Sequence, residues 1–557
     1  MEKIIVHPTS LGLWLGFLYI VASLVRFSLR SLPKKDYPPG PRCFPLLGNV
    51  HHFSSTMPFV QFTELAKQYG DIVGLKAGPG NIVVLNKANL VRELYEKRGG
   101  KYAGREFGHI LSEHVIRDSK HIVFVPNDNF LRQWRSTARY ILGPKGLEEV
   151  LPLQEASAAD LMAKLVGGSS HPLEHFKTWA LVAPMRAICG DRTLRNNPEI
   201  EKLFVDTQDQ WLEILTPGRA PPVDIFPIVQ YFPEIFAKWK KAARFVRKNQ
   251  TGFYYMMLDM ARQQLTGNPP LPNNAATGQH EPLMAKVLRE QQEAKGKTLS
   301  IDEIAYIGGG LLDAAVDTTW GAALILVIAL AAHPGILKRL QDEVDSLRGA
   351  DHAPRGEDLE KLPYLKACHL EVRSWRVRDV STNSLTMTNN CQALRWRPVA
   401  PSSVPRQLDA DDIVGGYHLE KGTTIIQNTW AINHDPEEFE NPGAFNPDRY
   451  LNNPYGTKMS PEDAKNAGRK QAYIFGAGRR ICPGEGFAHN SLLMMTAKLV
   501  WAFDIIPTSP IDTDIVTGFH GGITHIPVGL EVKFSPRSAQ HKQAVLDDFR
   551  RLSHIIE

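Results

Sequence analysis

Cysteine is scarce in this chain of 557 residues. The five are Cys43, Cys189, Cys368, Cys391 and Cys482, odd in number, widely spread and without a CxxC pair. That excludes a disulfide framework or a cysteine-rich zinc site and fits a reducing compartment. Charge of one sign is lacking too: a net +5 on a chain this long gives no footing for nucleic-acid binding, so no nucleic-acid partner is expected. Low-complexity tracts, internal repeats and long linkers are absent, as are a nucleotide-binding glycine fingerprint and a flavin segment.

What the chain does have begins at its N-terminus. Ile4 to Val25 contains no Asp, Glu, Lys or Arg, and its 22 residues would span about 33 Å as a helix, enough for a bilayer core. Arg26, Arg30, Lys34 and Lys35 follow, so the positive-inside rule leaves the bulk of the chain cytosolic. The alternative is a cleaved signal peptide, but the apolar run is long for one and no small-x-small site precedes the basic cluster. We therefore expect residues 1–30 to be an uncleaved membrane anchor. YPPGPR, Tyr37 to Arg42, reads as a stiff spacer behind it.

Residues 31–557 read as one large body, mainly α with small β-sheets. Helical periodicity runs through Pro282 to Ala294 and Asp302 to Ala332, whereas Asp71 to Asn86 and Gly422 to Gln427 look strand-like. Gly267 to Gly278, GNPPLPNNAATG, is expected to be an exposed loop.

The most informative run is FGAGRRICPGEGF, starting at Phe475. Its glycines permit tight backbone approach, and Cys482 sits among them just before a long apolar helix. N–H groups and the helix dipole there stabilise a thiolate, and Arg479 and Arg480 add positive charge. No second Cys or His stands at metal-ligand spacing, so a metal on this sulfur needs its other ligands from a cofactor, for which haem is the obvious case.

Phe475, Gly478, Arg480, Cys482 and Gly484 match FxxGxRxCxG, and in this the chain resembles the cytochrome P450 family, specifically its microsomal fungal-type members. The resemblance implies that family's fold, haem b with Cys482 as the axial thiolate on iron, Arg480 on a haem propionate, and Phe475 packed near the sulfur. AAVDTT, Ala314 to Thr319, resembles the oxygen-binding segment (A/G)Gx(D/E)T(T/S), which would make Thr318 and Asp317 the catalytic pair that orients dioxygen and supplies protons. Read alone, it is more readily a core helix with a satisfied polar patch; beside Cys482 the balance reverses. Ala315 replaces the usual glycine.

Trp134 resembles the family's propionate-reaching tryptophan. Ala138 stands where an arginine is usual, leaving Arg139 or Arg135 to substitute, with Arg139 taken as the cofactor contact. Arg406 is a further propionate partner, and NPGAFNPDRYL resembles the meander with Arg449 as its buried arginine. The resemblance runs from the anchor to about Ser538.

One signature is broken. The family's ExxR places Glu and Arg one helical turn apart as a buried pair, and i, i+3 spacing is what makes them meet. Here Glu371 is followed at that spacing by Ser374. Removing the 21 residues Val372 to Gln392 restores the motif, because Glu371, Ala393, Leu394 and Arg395 then spell it. We read the segment as a retained intron. Val372–Arg373 can be encoded GTAAGA, Thr382–Asn383 ACTAAC and Gln392 CAG, giving donor, branch point and acceptor. A genuine surface insertion is the alternative.

The implied activity is an NADPH-dependent haem-thiolate monooxygenase that hydroxylates or epoxidises a hydrophobic small molecule with O2. A terpenoid or aromatic natural product of fungal secondary metabolism is the expected substrate. Electrons would come through a separate NADPH–cytochrome P450 reductase, with cytochrome b5 as a second candidate partner, on the endoplasmic reticulum membrane. Arg469, Lys470, Arg479 and Arg480 are candidates for the reductase-facing surface. A haem-thiolate isomerase or dehydratase, and a haem-binding protein without turnover, are the alternatives. Substrate contacts are expected around Tyr102 to His114, Gln208 to Leu215, Pro401 to Val404 and Gly518 to Ile526.

Overall fold

The computed structural model describes residues 8–53, 56–105, 108–116, 120–190, 198–216, 221–266, 280–293, 299–370 and 395–556. The 267–278 loop, Glu371, Cys391 and the whole of 372–392 lie outside the described residues.

The first helix, α1, runs Pro8–Arg30, and every side chain from Leu13 to Val25 is exposed. An apolar helix exposed on all sides has nothing to pack on in water, and its length and composition suit a bilayer crossing. The PPGP run behind it is not a free spacer. Tyr37 donates its hydroxyl to the carbonyls of Leu75 (3.0 Å) and Ile82 (2.8 Å), and the Gly74 N–H donates to Pro39 O (2.8 Å). Gly40 permits this approach, since a Cβ there would lie 1.9 Å from the Gly74 carbonyl oxygen.

The strand-like runs form one mixed sheet. β1 (Ile72–Ala77) and β2 (Gly80–Leu85) pair antiparallel, and β3 (Arg406–Gln407) lies at the far edge. β4 (Thr424–Gln427) runs parallel to β2 and antiparallel to β3, giving the order β1-β2-β4-β3. Burial of Val83, Val84 and Leu85 on both faces of β2 fits a strand covered on both sides.

The body is otherwise helical. The helices that position the site are α2 (Asn129–Leu142), α3 (Pro144–Val166), α4 (Glu174–Cys189), α5 (Pro198–Leu215), α6 (Lys238–Thr266), α7 (Ile301–Ala332), α8 (Pro363–Leu370), α9 (Glu485–Ala502) and α10 (Ala539–Ile556). α7 starts at a capping box, with Ser300 Oγ accepting from the Glu303 N–H and the Glu303 carboxylate accepting from the Ser300 N–H. Although as long and apolar as a membrane span, it is mostly buried, and it packs against α4, α6 and α9 as the central core helix. α9 is buried along nearly its whole length because it runs between α7 and α3. α10 lies beyond the stretch the resemblance covered. It packs along α3, where Arg551 pairs with Glu155 (2.8 Å), and is tied to α9 by the Lys498–Asp548 pair (2.5 Å) and to α4 by the Arg186 bond to Ile555 O (2.7 Å).

Candidate functional site

Cys482 is held by its loop before α9 begins. Its N–H donates to Phe475 O (2.8 Å), and Ile481 N–H donates to Gly478 O (3.1 Å), closing the loop between Phe475 and the cysteine. Gly478 has φ 62°, and a Cβ there would sit 1.7 Å from the Tyr95 carbonyl oxygen, so no other residue fits. The sulfur is deeply set: burial pushes its thiol up to about 11, opposed by the Gly484 and Glu485 N–H groups and by Arg135. Yet the side chain is accessible, so its free face opens on interior space. Cys189 and Cys368 are simply buried.

Around that loop stand four arginines. Arg480 Nε donates to Ala103 O (2.8 Å) and Nη2 to Val125 O (2.5 Å), leaving Nη1 buried without a partner. Arg406 donates to Ala477 O (2.6 Å) and stacks 3.6 Å over the Tyr95 ring. Arg135 donates to Ile481 O (2.8 Å) in the cysteine loop. Arg105 donates to Val404 O (2.6 Å), and its Nε is buried without a partner. Burial lowers all four, Arg406 and Arg480 to about 10, reinforced by repulsion within the cluster for Arg105, Arg406 and Arg480 and from Arg139 for Arg135. None is in an ion pair among the described residues. Trp134 is buried beside Arg135 in α2, and its Nε1–H has no partner.

Buried like charges on this scale call for an anionic group. The residues present fit haem on the strength of these orphaned donors: its two propionates would supply the missing charge, and the Cys482 sulfur could serve as a ligand to its iron. Among the described residues no group of three or more His, Cys, Asp or Glu could hold a metal by itself.

The sequence points to Arg139, but it is Arg135 that the structure brings to the cysteine loop. The buried stripe of α2 is Leu131, Trp134, Ala138 and Ile141, which leaves Arg139 exposed while Arg135 reaches the cysteine loop. Arg105 was missed as a cofactor contact; a lone Arg three residues after Tyr102 carries no periodic signal. Phe475 is half-buried. We expect Arg105→Gln to weaken haem affinity about tenfold or more, measured by Soret absorbance per protein on dilution, since it removes one charge-assisted contact, about 1.5–3 kcal/mol.

On α7, Ala314 is exposed and Thr318 half-buried within an otherwise buried helix, marking a second accessible interior face on an element packed against α9. Thr318 Oγ1 donates to Ala314 O (2.7 Å). Asp317 is buried, neither carboxylate oxygen has a hydrogen-bond partner, and burial raises it to about 6 against the pull of Lys177. One turn earlier Asp313, also missed, accepts from Gln208 (2.6 Å), Gln250 (2.7 Å) and Tyr254, with His121 Nε2 at 3.4 Å. It ties α5 and α6 onto α7.

Arg395 is buried and donates to the carbonyls of Asn433 (3.1 Å), Pro442 (2.6 Å) and Ala444 (2.9 Å). The Arg395–Arg397 run is a bend, not a resumed helix. Arg449, expected buried, is half-buried and donates to the Glu440 and Asn441 carbonyls. Glu371 lies outside the described residues. Of the basic set assigned to a partner surface, Arg480 is buried in the arginine cluster and Arg469 is buried and paired with Glu438. Lys470 pairs with Glu96 (3.2 Å), and Arg479 stays exposed.

Comparison with known proteins agrees with this geometry. A family model described as Cytochrome P450 matches residues 38–534. The chain is 32% identical to the cytochrome P450 monooxygenase grgG of a Penicillium species, over 98% of this chain and 96% of the relative. It is 30% identical to the cytochrome P450 monooxygenase patH of Aspergillus clavatus, over 88% and 87%. To the cytochrome P450 monooxygenase atE of Aspergillus terreus it is 28% identical, over 96% and 94%.

Proposed function

Because the chain belongs to the cytochrome P450 family, we propose that it is a membrane-anchored monooxygenase whose haem is held by Cys482, Arg105, Arg135, Arg406, Arg480 and Trp134. The observation that carries this assignment is the buried cluster of four arginines, none in an ion pair among the described residues, beside an accessible cysteine. Bound haem supplies dioxygen activation, with thiolate donation favouring O–O cleavage. Cys482 donates charge from Sγ while the Gly484 and Glu485 N–H groups hold that charge in place. The arginines and the Trp134 N–H fix the cofactor's orientation through its propionates.

Asp317 and Thr318 manage protons. A carboxyl near 6 both releases and recovers a proton close to neutrality, and the Thr318 hydroxyl stands separately at the accessible face of α7, bonded to Ala314 O. The substrate is a hydrophobic small molecule, a terpenoid or aromatic natural product of fungal secondary metabolism. The two electrons come from NADPH through a separate reductase at the endoplasmic reticulum membrane.

The test is product formation by the full chain with reductase, NADPH and heavy-isotope dioxygen. One labelled oxygen should enter the product, and product formed without NADPH would favour the isomerase reading. Asp317→Asn should keep haem yet lower product formation about a hundredfold or more, the scale of a lost general acid. The wild-type pH profile should bend near pH 6, with activity falling as Asp317 ionises above it, and the Asn variant should lose that bend. Stability follows the same sign: the neutral carboxyl's contribution is present at low pH and lost as pH rises through about 6.

A further inference from the structure

The last two turns of α1 do not stand clear of the body. With the Leu32 to Tyr37 run, the β1–β2 turn and the His418 to Gly422 segment, they line an open cavity of about 750 Å3. Its walls differ in chemistry. Ala22, Val25 and Leu29 form an apolar side continuous with the exposed Leu13 to Val25 surface of α1. Arg26, Arg30, Lys34, Lys76 and Lys421 line the remainder, against only Asp36 and Glu420.

Both carboxylates are already engaged. Glu420 pairs with Lys34 and accepts from Asn81 Nδ2 (3.0 Å), and Asp36 faces His418 at 3.9 Å. Lys76 is buried, with Nζ donating to Asn81 Oδ1 (2.6 Å) and Pro79 O (3.2 Å). Arg26, Arg30 and Lys421 are in no ion pair among the described residues. The cavity therefore holds cations that the protein leaves unneutralised, beside an apolar wall, at the end of a helix suited to cross a bilayer.

We propose that this cavity binds the headgroup of an anionic phospholipid. The phosphate would sit among Arg26, Arg30 and Lys421, and the acyl chains would lie along Ala22, Val25 and Leu29. A free phosphate shares the charge but gains nothing from the apolar wall. Lipid headgroups lie at the depth where the last exposed apolar residues of α1 meet its first arginines, and basic pockets at that depth select acidic lipids. The positive-inside rule alone also explains basic residues after a span. It does not explain why those of the cavity converge with Lys421, from a segment nearly 400 residues away in sequence.

The proposal rests on α1 crossing the bilayer, which resistance of the full chain to alkaline carbonate extraction tests separately. The lipid site itself is tested by native mass spectrometry of the full chain released from nanodiscs of equal phosphatidylcholine and phosphatidic acid. One phosphatidic acid should be retained in preference to phosphatidylcholine. The double variant Arg30→Gln/Lys421→Gln should lose that preference by on the order of tenfold or more. Lys35→Gln, a basic residue next to the cavity but not lining it, should keep it, and Soret absorbance should be unchanged in both. Unselective retention, equal loss in Lys35→Gln, or displacement by millimolar inorganic phosphate would overturn the proposal.

Discussion

Excision of Val372 to Gln392 is expected to raise haem occupancy per polypeptide several-fold and to stabilise the fold by about 3 kcal/mol, the scale of completing a buried charge pair. The receiving half of that pair is already built. Arg395 is fully buried under the NPGA segment, its guanidinium fixed by the Asn433, Pro442 and Ala444 carbonyls and lying 5.3 Å from the Phe439 ring. Trp396 Nε1 donates to Gly443 O (3.0 Å), locking the same segment from the next position. On the other side α8 runs as a regular helix to Leu370, directly before Glu371. In the shorter chain Glu371 and Arg395 stand at i and i+3, one turn apart, so the helix that carries the acid also delivers the base.

A stability margin of only 5–15 kcal/mol, as is usual for a folded domain, makes a change of this size decisive for how much protein reaches a haem-loaded state. The measurement is Soret absorbance per protein and thermal midpoint for both lengths, expressed side by side. Equal or higher occupancy in the longer chain would refute the intron reading, as would transcripts that all retain the segment.

Replacing Cys482 by serine is expected to lower turnover by more than about a hundredfold, beyond the 10–100-fold typical of losing an outer partner of a metal ligand. The loop is built around this side chain: Gly478 is fixed by its contact with Tyr95, the Cys482 N–H is tied to Phe475, and two N–H groups at the start of α9 face the sulfur. Burial pushes the thiol up to about 11, and a bound haem iron would favour the thiolate form. A serine hydroxyl, far less acidic, does not ionise in its place. The protein should still fold, because the hydroxyl fits where the thiol did.

Much of this was legible in the sequence, and the reasons are local. The cysteine loop announces itself through glycines at fixed offsets, β1 and β2 through short apolar runs rich in Val and Ile, α7 through a long run of helical periodicity, and α1 through the absence of charge. What failed were choices that depend on tertiary partners. Arg135 rather than Arg139 was decided by the Ile481 carbonyl, although the Leu131, Trp134, Ala138, Ile141 stripe already put Arg139 on the outer face. Asp313 looks like a stray acid in an apolar helix until Gln208, Gln250, Tyr254 and His121 converge on it from three other segments. Arg469 read as surface charge because Glu438, its partner, lies thirty-one residues earlier in the chain.

The most direct test of the account is the absorption spectrum of the reduced carbon monoxide complex, recorded for the wild-type chain and for Cys482→Ser. The account predicts the red-shifted Soret band of a thiolate-ligated haem in the wild type and its loss in the variant. A wild-type band at the position of nitrogen-ligated haem, or a thiolate-type band that survives in Cys482→Ser, would contradict it.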